Sequence, residues 1–347
     1  MSSARRVWRA VAAMAMAMAT VASAQAQLAP AGPTLQAVRD RGFVICATSD
    51  PLPGFARLGL EGRWTGFDVD LCRAVAVAIF NDPTKIEFVP LAGESRFAPL
   101  QTGAVDLIAR NGAWTMGRDT GYGAVYVATS FFDGQAFMVP QDLGMVSAFE
   151  LDGVDICVLN DAEDLANLQE FFFATQASYS EVIYEDRADL EVAYRSGLCN
   201  AVSAPASWLN AIRRALPEPA THRILPERIS KGAFGPVVRQ GDGQWFDIVA
   251  WTLYALINAE EAGVTSLNIH SLEAAKTHRI RRLLGLEGSF GPGIGLQPDF
   301  IGNIIRAVGN YGEIFQRHFG SGSGGGVVRG QNALWINGGL LYAPPVE

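Results

Sequence analysis

The sequence predicts an α/β protein built of two lobes, each with a parallel sheet. Short apolar runs alternate with amphipathic stretches from Gly42 to Arg110, and the same alternation begins again at Asp155. Strands that alternate with helices predict parallel sheets covered by helices. The chain has 347 residues, which is more than one hydrophobic core usually serves, so two such units are expected.

The individual elements follow from the period of the apolar residues. In the first half, strands are predicted at residues 43–47, 86–91 and 105–109, and helices at 67–80 and 96–102. In the second half, strands are predicted at 156–159, 181–184 and 200–203, and helices at 163–173, 188–196 and 207–215. A strand over 231–238 and a long helix over about 244–262, with one apolar stripe, are expected next.

The first residues have the pattern of a secretory signal. Arg5, Arg6 and Arg9 precede an apolar run at residues 11–19, which is too short to span a bilayer. Small residues follow, so cleavage is expected near Gln25 or Gln27. Residues 1–26 are therefore predicted to be a signal peptide, and the mature chain is expected in the periplasm.

Composition excludes some partners and cofactors. The formal net charge is −8 at pH 7, which argues against nucleic acid as a partner. No CxxC occurs and the four histidines are scattered, so neither a metal site nor a cofactor is expected. The Gly/Ser segment from Gly320 to Gly326 contains a GxGxxG spacing, but no strand precedes it, and a flexible loop is expected there.

The four cysteines predict disulfides, because the chain is exported and their number is even. Four cysteines allow three pairings, and spacing alone does not select one. Two cysteines lie in each half of the chain, which favours Cys46 with Cys72 and Cys157 with Cys199.

Several segments resemble the substrate-binding proteins of bacterial ABC importers for polar and general L-amino acids, which are extracellular solute-binding proteins of family 3. The resemblance extends over nearly all of the mature chain, and the segments that carry it are residues 66–72 (GFDVDLC), 81–85 (NDPTK), 96–101 (RFAPLQ), 238–242 (VRQGD), 244–249 (QWFDIV), 255–261 (ALINAEE), 309–315 (GNYGEIF) and 342–345 (YAPP). The four cysteines also lie where the general L-amino-acid branch carries its own.

The resemblance implies a type II periplasmic-binding-protein clamshell, with two lobes joined by two crossover strands. Lobe 1 would combine residues 34–132 and 234–347, and lobe 2 would be 136–228, with hinges at about 133–135 and 229–233. A small polar ligand, an amino acid or an analogue, would bind in the cleft, and an ABC permease in the inner membrane would receive it. The chain is expected to act as a monomer without enzymatic activity.

The resemblance also implies ligand-binding residues in lobe 1. An arginine of the family grips the ligand carboxylate with a planar guanidinium, and the matching segment places Arg118 in that role. The alternative for Arg118 is a surface pair with Asp119. Arg96 occupies a position where binders of acidic amino acids place a side-chain contact. Asn111 is a further candidate in the same loop as Arg118.

Three more lobe 1 residues are candidates with a structural alternative. Trp114 and Phe55 are expected to line the cleft with apolar surface, although aromatic residues near strand ends are often part of the core. Asp50 is a candidate ligand contact, and capping of a turn at Pro51 is its alternative.

The sequence departs from the family pattern mainly in lobe 2. Residues 160–164 (NDAED) replace a Ser-Gly-Thr-Thr loop, and Pro205 replaces an aspartate that accepts the ligand ammonium. Gly112 and Ala113 replace hydroxyl residues in lobe 1. Glu163 and its acidic neighbours are therefore candidates for contact with a cationic or polyhydroxyl group, or simply charges that stabilise a helix N-terminus.

Two other functions compete with import. One is a sensory or partner-binding protein whose cleft takes no ligand. The other is a periplasmic dehydratase-like enzyme on the same fold, because a fold does not fix a function. The sequence contains no GxSxG, HExxH or P-loop motif, which makes catalysis the weakest alternative.

Overall fold

Two five-stranded sheets, each packed against helices, form the two lobes of the molecule. The structure is a computed structural model, and it describes residues 28–49, 52–91, 94–320 and 326–347. The expected signal peptide, Asp50, and most of the Gly320–Gly326 segment lie outside the described residues.

The strands and helices are numbered separately along the chain. The strands are β1 Val44–Thr48, β2 Arg57–Leu58, β3 Trp64–Thr65, β4 Ile86–Pro90, β5 Leu107–Ile108, β6 Ala124–Tyr126, β7 Phe131–Asp133, β8 Gln135–Pro140, β9 Val154–Leu159, β10 Tyr179–Tyr184, β11 Ala201–Pro205, β12 His222–Ile224, β13 Gly232–Phe234 and β14 Val237–Arg239. The α-helices are α1 Pro33–Arg41, α2 Phe67–Phe80, α3 Phe97–Thr102, α4 Met116–Gly121, α5 Ala162–Thr175, α6 Arg187–Arg195, α7 Ala206–Ala215, α8 Gly243–Glu261, α9 His278–Leu283, α10 Phe290–Gly293, α11 Phe300–Val308 and α12 Tyr311–Phe319.

Each sheet is mixed, and the expectation of purely parallel sheets is corrected in this respect. The lobe 1 sheet has the order β4-β1-β5-β14-β6, and the lobe 2 sheet has the order β10-β9-β11-β8-β12. Three neighbouring strands in each sheet are parallel, whereas β14 and β8 run antiparallel to their partners. Both reversed strands directly follow a segment that crosses between the lobes, so they enter their sheets from the cleft side.

The crossing segments pair with each other as two short strands between the lobes, and this strand pair is called the hinge below. Strand β7 pairs antiparallel with β13, and the pairs run from Phe131 with Phe234 to Asp133 with Gly232. The strand expected over residues 231–238 is thus two strands, β13 and β14, separated by Gly235 and Pro236. A side chain at Gly235 would clash with the Ala128 carbonyl oxygen, because its Cβ would lie 2.0 Å away.

The C-terminal segment packs against the start of the hinge. The Tyr311 hydroxyl donates a hydrogen bond to the Ser130 carbonyl oxygen at 2.8 Å. The buried Asn332 carboxamide accepts from the Phe132 N–H at 2.7 Å and donates to the Phe132 carbonyl oxygen at 2.8 Å. Residues far apart in sequence therefore fix the position of β7.

The two favoured disulfides are confirmed. Cys46 on β1 is bonded to Cys72 on α2, and Cys157 on β9 is bonded to Cys199, with Cα atoms 6.3 and 5.7 Å apart. The first disulfide links the lobe 1 sheet to α2, and the second links the lobe 2 sheet to the loop between α6 and β11.

Helix α2 begins at a glycine for a steric reason. Gly66 has a φ of 145°, and a Cβ there would lie 2.0 Å from the Phe55 carbonyl oxygen. This close approach leaves no space for a side chain at position 66. Glycine therefore allows the chain to turn from the β2–β3 hairpin directly into the helix.

Candidate ligand-binding cleft

A cavity of about 670 Å³ lies between the lobes. Its volume falls in the range of about 300 to 1,000 Å³ that is typical of small-molecule sites. The lobe 1 residues that line it include Arg96, Arg110, Asn111, Gly112, Ala113 and Arg118. Lobe 2 contributes Leu159, Asp161, Glu163, Asp164, Asn167, Glu185, Asp186, Arg187, Ala188, Pro205 and Trp208, and Gly134, Gln135, Ser230, Lys231, Gly232 and Phe234 come from the hinge region.

Arg118 is held at the cleft by the short helix α4. The Thr115 hydroxyl caps this helix and accepts a hydrogen bond from the Arg118 N–H at 3.3 Å. One guanidinium nitrogen, Nη1, donates to the Ala113 carbonyl oxygen at 3.2 Å. The side chain is therefore anchored at its base and at its tip, and its guanidinium faces the cavity.

Arg96 lies deeper in the same wall and is buried. Its guanidinium carbon is 4.5 Å from the centroid of the Phe97 ring. A Cβ placed on Gly112 would lie only 3.3 Å from Arg96 Nη2. The absence of a side chain at Gly112 thus leaves room for the Arg96 guanidinium, which gives a physical reason for the departure from the hydroxyl residue of the family.

A third arginine, Arg110, follows β5 in the lobe 1 wall, and its Nη1 donates to the Leu91 carbonyl oxygen at 2.9 Å. The carboxyl group of Asp68 lies buried behind this wall. Burial raises the pKa of Asp68 to about 8, although the positive charge of Arg110 acts to lower it. Asp68 Oδ2 and the amide oxygen of Asn111 are both buried, and neither accepts a hydrogen bond in the described part of the chain.

The opposite wall is built on the N-terminus of α5. Asp161 is the N-cap, and its Oδ1 accepts hydrogen bonds from the N–H groups of Glu163 at 2.9 Å and Asp164 at 3.3 Å. The structural alternative for these acidic residues, stabilisation of a helix start, therefore holds for Asp161. The side chains of Glu163 and Asp164 make neither of these capping bonds.

Glu163 reaches across the cleft. Its Oε2 lies 3.3 Å from Arg118 Nη1, and the exposed fractions of the two side chains are 41% for Glu163 and 20% for Arg118. A carboxylate from lobe 2 thus contacts the guanidinium to which a ligand carboxylate is expected to bind.

Asp164 lies beside Glu163, and its environment disfavours a negative charge. Burial, together with the charges of Asp161 and Glu163, raises the pKa of Asp164 to about 7. The positive charge of Arg187 lowers this pKa, and the charge of Asp133 raises it further. A carboxyl group in this position is half protonated near neutral pH.

A network centred on Gln135 fixes the first turn of α5 against the sheet. Gln135 Nε2 donates to the Asp164 carbonyl oxygen and to the Ser203 hydroxyl, both at 3.0 Å. Gln135 Oε1 accepts from Asn167 Nδ2 at 2.9 Å. Strand β8 pairs Gln135 directly with Pro205 at the end of β11. The backbone of Asp164 is therefore tied to the part of lobe 2 where Pro205 lines the cleft.

The remaining part of the lobe 2 wall comes from α6 and α7. Asp186 caps α6 through the Ala188 N–H at 2.7 Å. The Arg187 guanidinium lies 5.2 Å from the Trp208 ring, a cation–π distance, and Trp208 Nε1 donates to Glu191 Oε1 at 3.2 Å. These contacts hold the largely buried Trp208 ring in the lobe 2 wall of the cavity.

The structure brings four of the sequence-predicted site residues together, since Arg118, Arg96, Asn111 and Glu163 all line one cavity. Trp114 does not line it, and its ring stacks on Tyr126 with the centroids 5.4 Å apart. The expected cleft position of Trp114 is corrected in this respect.

Phe55 also differs from the expectation, because it belongs to the core. It is 1% exposed, and its ring centroid lies 5.0 Å from those of Phe131 and Phe319. Its apolar ring is enclosed by other aromatic rings below the cleft, so it offers no surface to a ligand. Asp50, the remaining candidate, is one of the residues that the structure does not describe.

Several cleft residues were not predicted from the sequence. They are Arg110, Gln135, Asn167, Arg187, Trp208 and Lys231. None belongs to a local motif, and they approach one another only when the sheets and the hinge are formed. The apolar face of α7 was the only signal for Trp208, and it predicts burial rather than a cleft.

The described residues hold no group of three or more histidine, cysteine, aspartate or glutamate side chains that could bind a metal ion. In the same part of the chain, every helix is too short or too polar to cross a bilayer.

Two lobes, a two-stranded hinge and a polar cavity between the lobes define a ligand-binding protein of the type II periplasmic class. A family model, that of the bacterial extracellular solute-binding proteins, family 3, matches residues 44–264. The chain belongs to this family.

Similar proteins cover nearly the whole chain. The general L-amino acid-binding periplasmic protein AapJ of Rhizobium johnstonii is 45% identical over 316 residues, which are 90% of this chain and 93% of AapJ. The glutamate/glutamine/aspartate/asparagine-binding protein BztA of Rhodobacter capsulatus is 46% identical over 313 residues, which are 90% of this chain and 93% of BztA.

A solved structure shows the same fold. The ABC transporter periplasmic binding protein from Brucella ovis with glutathione bound is 44% identical and has a TM-score of 0.85. The match covers 91% of this chain and 100% of that one. The expectations of a solute-binding family and of a binding protein rather than an enzyme are confirmed.

Proposed function

We propose that the chain is the periplasmic binding component of an ABC importer and captures an amino acid or a small amino-acid derivative in the cleft. Export by residues 1–26, delivery to an inner-membrane permease, and lobe boundaries at the hinge segments 133–135 and 229–233 are parts of this proposal. The names of AapJ and BztA, which bind amino acids, support it.

The observation that carries the proposal is the division of charge between the two cleft walls. The lobe 1 wall presents three guanidinium groups, from Arg96, Arg110 and Arg118. The lobe 2 wall presents five carboxyl groups, of Asp161, Glu163, Asp164, Glu185 and Asp186, against one guanidinium group, that of Arg187. A ligand that carries both an anionic and a cationic group fits this arrangement, because each buried charge then meets an opposite one.

The division of charge also orients the ligand. Its carboxylate would lie against the Arg118 guanidinium, which binds a carboxylate bidentately, and its ammonium would point toward lobe 2. Glu163 contacts the same guanidinium, so the ligand carboxylate would have to displace it. This exchange replaces one ion pair with another.

The size of the cleft sets an upper limit on the ligand. The cavity of about 670 Å³ is large for a single free amino acid and has room for a short peptide. The structure of the Brucella ovis protein contains glutathione, a tripeptide with one ammonium and two carboxylates. Glutathione is therefore included among the ligands to be tested, together with the common L-amino acids.

The test is calorimetric and thermal titration of the mature chain with three groups of compounds. The first group carries an ammonium and a carboxylate, as in L-amino acids and glutathione; the second carries only carboxylates, as in succinate; the third carries only ammonium groups, as in cadaverine. A compound of the first group is expected to raise the melting temperature, since it binds the folded state only. The absence of binding by the entire first group would contradict the proposal and favour a partner-binding role.

Two variants locate the site once a ligand is found. Arg118→Ala is expected to weaken binding by about thirtyfold or more, because the ligand carboxylate loses its charged partner in the cleft. Arg118→Lys keeps the positive charge but loses the two parallel N–H donors of the guanidinium group, and its affinity is expected to be intermediate. Arg57, exposed on β2 outside the cavity, gives the control variant Arg57→Ala. Unchanged affinity in Arg118→Ala would show that the site is elsewhere.

A further inference from the structure

One carboxyl group of the lobe 2 wall differs from the other four in its contacts. Asp161 and Asp186 cap helices, Glu185 accepts a hydrogen bond from Asn160 at 2.6 Å, and Glu163 is paired with Arg118. The carboxyl group of Asp164 makes neither a hydrogen bond nor an ion pair within the described part of the chain. Among the described residues, Asp164 is thus the carboxyl group of this wall for which no hydrogen-bond or ion-pair partner is seen.

The backbone around Asp164 is rigidly placed. Gln135 Nε2 holds the Asp164 carbonyl oxygen at 3.0 Å, and the same nitrogen holds the Ser203 hydroxyl at 3.0 Å on the neighbouring strand β11. Strand β11 ends at Pro205, which lines the cleft and has no polar side-chain atom. The carboxyl group of Asp164 therefore supplies the negative charge at a point of the wall where the adjacent strand supplies none.

The charges around Asp164 favour binding of a cationic ligand group. Asp161 and Glu163 on the same helix turn and Asp133 on β7 repel a negative charge there, and Arg187 on α6 opposes them. Among the charges of the described residues, these four have the largest effects on the pKa of the Asp164 carboxyl group. A ligand cation beside this carboxyl group would relieve the repulsion, which a neutral or anionic group would not.

We propose that Asp164 accepts the ammonium group of the ligand, and that binding of the ligand releases a proton from the protein. The inference rests on the proposed function, and it deepens that function by fixing the cationic end of the ligand at the N-terminus of α5. The ligand class is then a primary ammonium compound whose carboxylate reaches Arg118 on the other wall. The only covalent change is the transfer of this proton: the O–H bond of the protonated Asp164 carboxyl group breaks, and water or buffer accepts the proton.

The proton release follows from linkage. The pKa of Asp164 is about 7 in the free protein, and an ammonium at hydrogen-bond distance lowers it. At pH 7 about half of the molecules carry the proton, so about half a proton per ligand is released. Binding therefore becomes tighter by about tenfold as the pH rises from about 6 to about 8, while the ligand ammonium keeps its charge.

The experiment measures the affinity of wild type and Asp164→Asn for the best ligand of the first group at several pH values, in two buffers of different ionisation enthalpy. We expect Asp164→Asn to bind at least about tenfold more weakly at pH 8, because a charge-assisted hydrogen bond is lost. The pH dependence between about 6 and 8 and the proton release should be absent in this variant. Asp189→Asn, which removes a charge from an exposed position on α6 outside the cavity, is the matched control and should behave as wild type.

Thermal stability separates a binding role from a structural one. Removal of a repelled carboxylate should leave the melting temperature of ligand-free Asp164→Asn at pH 8 equal to or above that of wild type. Lower stability together with weaker binding would indicate a structural role and overturn the inference. Wild-type affinity and pH dependence in Asp164→Asn would also overturn it, yet leave the proposed function standing. If wild type binds no compound of the first group, both proposals fail.

Discussion

Arg118 and Glu163 form an ion pair that spans the cleft, with Arg118 Nη1 3.3 Å from Glu163 Oε2. The pair joins α4 of lobe 1 to α5 of lobe 2, so it favours approach of the two lobes without a ligand. Because a ligand carboxylate is proposed to bind the same guanidinium, Glu163 competes with the ligand. The two acidic neighbours Glu163 and Asp164 are therefore expected to affect binding in opposite directions.

Glu163→Gln is expected to tighten binding of the ligand. The competing carboxylate is removed, and since partly exposed ion pairs contribute about 0 to 1 kcal/mol, the gain should be up to about fivefold. Titration calorimetry measures the affinity, and small-angle scattering of the ligand-free variant should show a larger radius of gyration.

The control for this prediction is Glu170→Gln on the exposed side of α5, outside the cavity. It removes the same charge from the same helix, and its affinity should equal that of wild type. Weaker binding by Glu163→Gln would mean that Glu163 contacts the ligand directly rather than competing with it.

Asn332→Ala is expected to destabilise lobe 1. The Asn332 carboxamide makes two hydrogen bonds with the backbone of Phe132, at 2.7 and 2.8 Å, and both backbone groups lose their partner in the variant. Unsatisfied polar groups cost about 1 to 3 kcal/mol each when they are buried, so the free energy of unfolding should fall by about 2 kcal/mol or more. Denaturant unfolding provides the measurement.

Asn337 supplies the matched control, because it is an exposed asparagine in the same C-terminal segment. Asn337→Ala should unfold as wild type does. Equal stability of Asn332→Ala and Asn337→Ala would show that the contact with Phe132 does not hold the hinge strand.

The elements of this fold follow largely from local sequence patterns, and the exceptions lie at or next to the hinge. Helix α2 begins and ends where the apolar period predicts, at Phe67 and Phe80. The single strand expected over residues 231–238 is divided, because the run of strand-forming residues conceals the break at Gly235. The direction of β8 and β14 depends on the path of the chain through the hinge. The local spacing of apolar residues gives no information about this path.

The cleft was predictable only in part, because its two walls come from distant segments. Arg118 was identified through a motif, whereas Gln135 reaches the cleft through strand pairing with Pro205 and bonds to α5. Phe55 is the opposite case, a residue that was expected in the cleft but lies in the core. An aromatic residue near a strand end has the same local sequence pattern in a core and in a cleft. Tertiary packing decides between these two outcomes.

Asp68 predicts a pH dependence of stability that is independent of ligand. Burial raises its pKa in the folded protein to about 8, whereas the ordinary value for aspartate is 3.8. Between these pH values the folded state keeps a proton that the unfolded state has lost. The contribution of Asp68 to the free energy of unfolding therefore decreases as the pH rises from about 4 to about 8, and it changes little beyond.

Asp68→Asn removes this contribution, because an amide of nearly the same shape does not titrate. The stability of the variant relative to wild type is expected to increase steadily with pH across the window from about 4 to about 8. Urea unfolding at several pH values measures the difference, and Asp40→Asn on the exposed face of α1 is the control. Because other groups titrate equally in both proteins, the difference between wild type and variant isolates Asp68. A difference that does not vary with pH would mean that the buried carboxyl is ionised at the same pH in the folded and unfolded states.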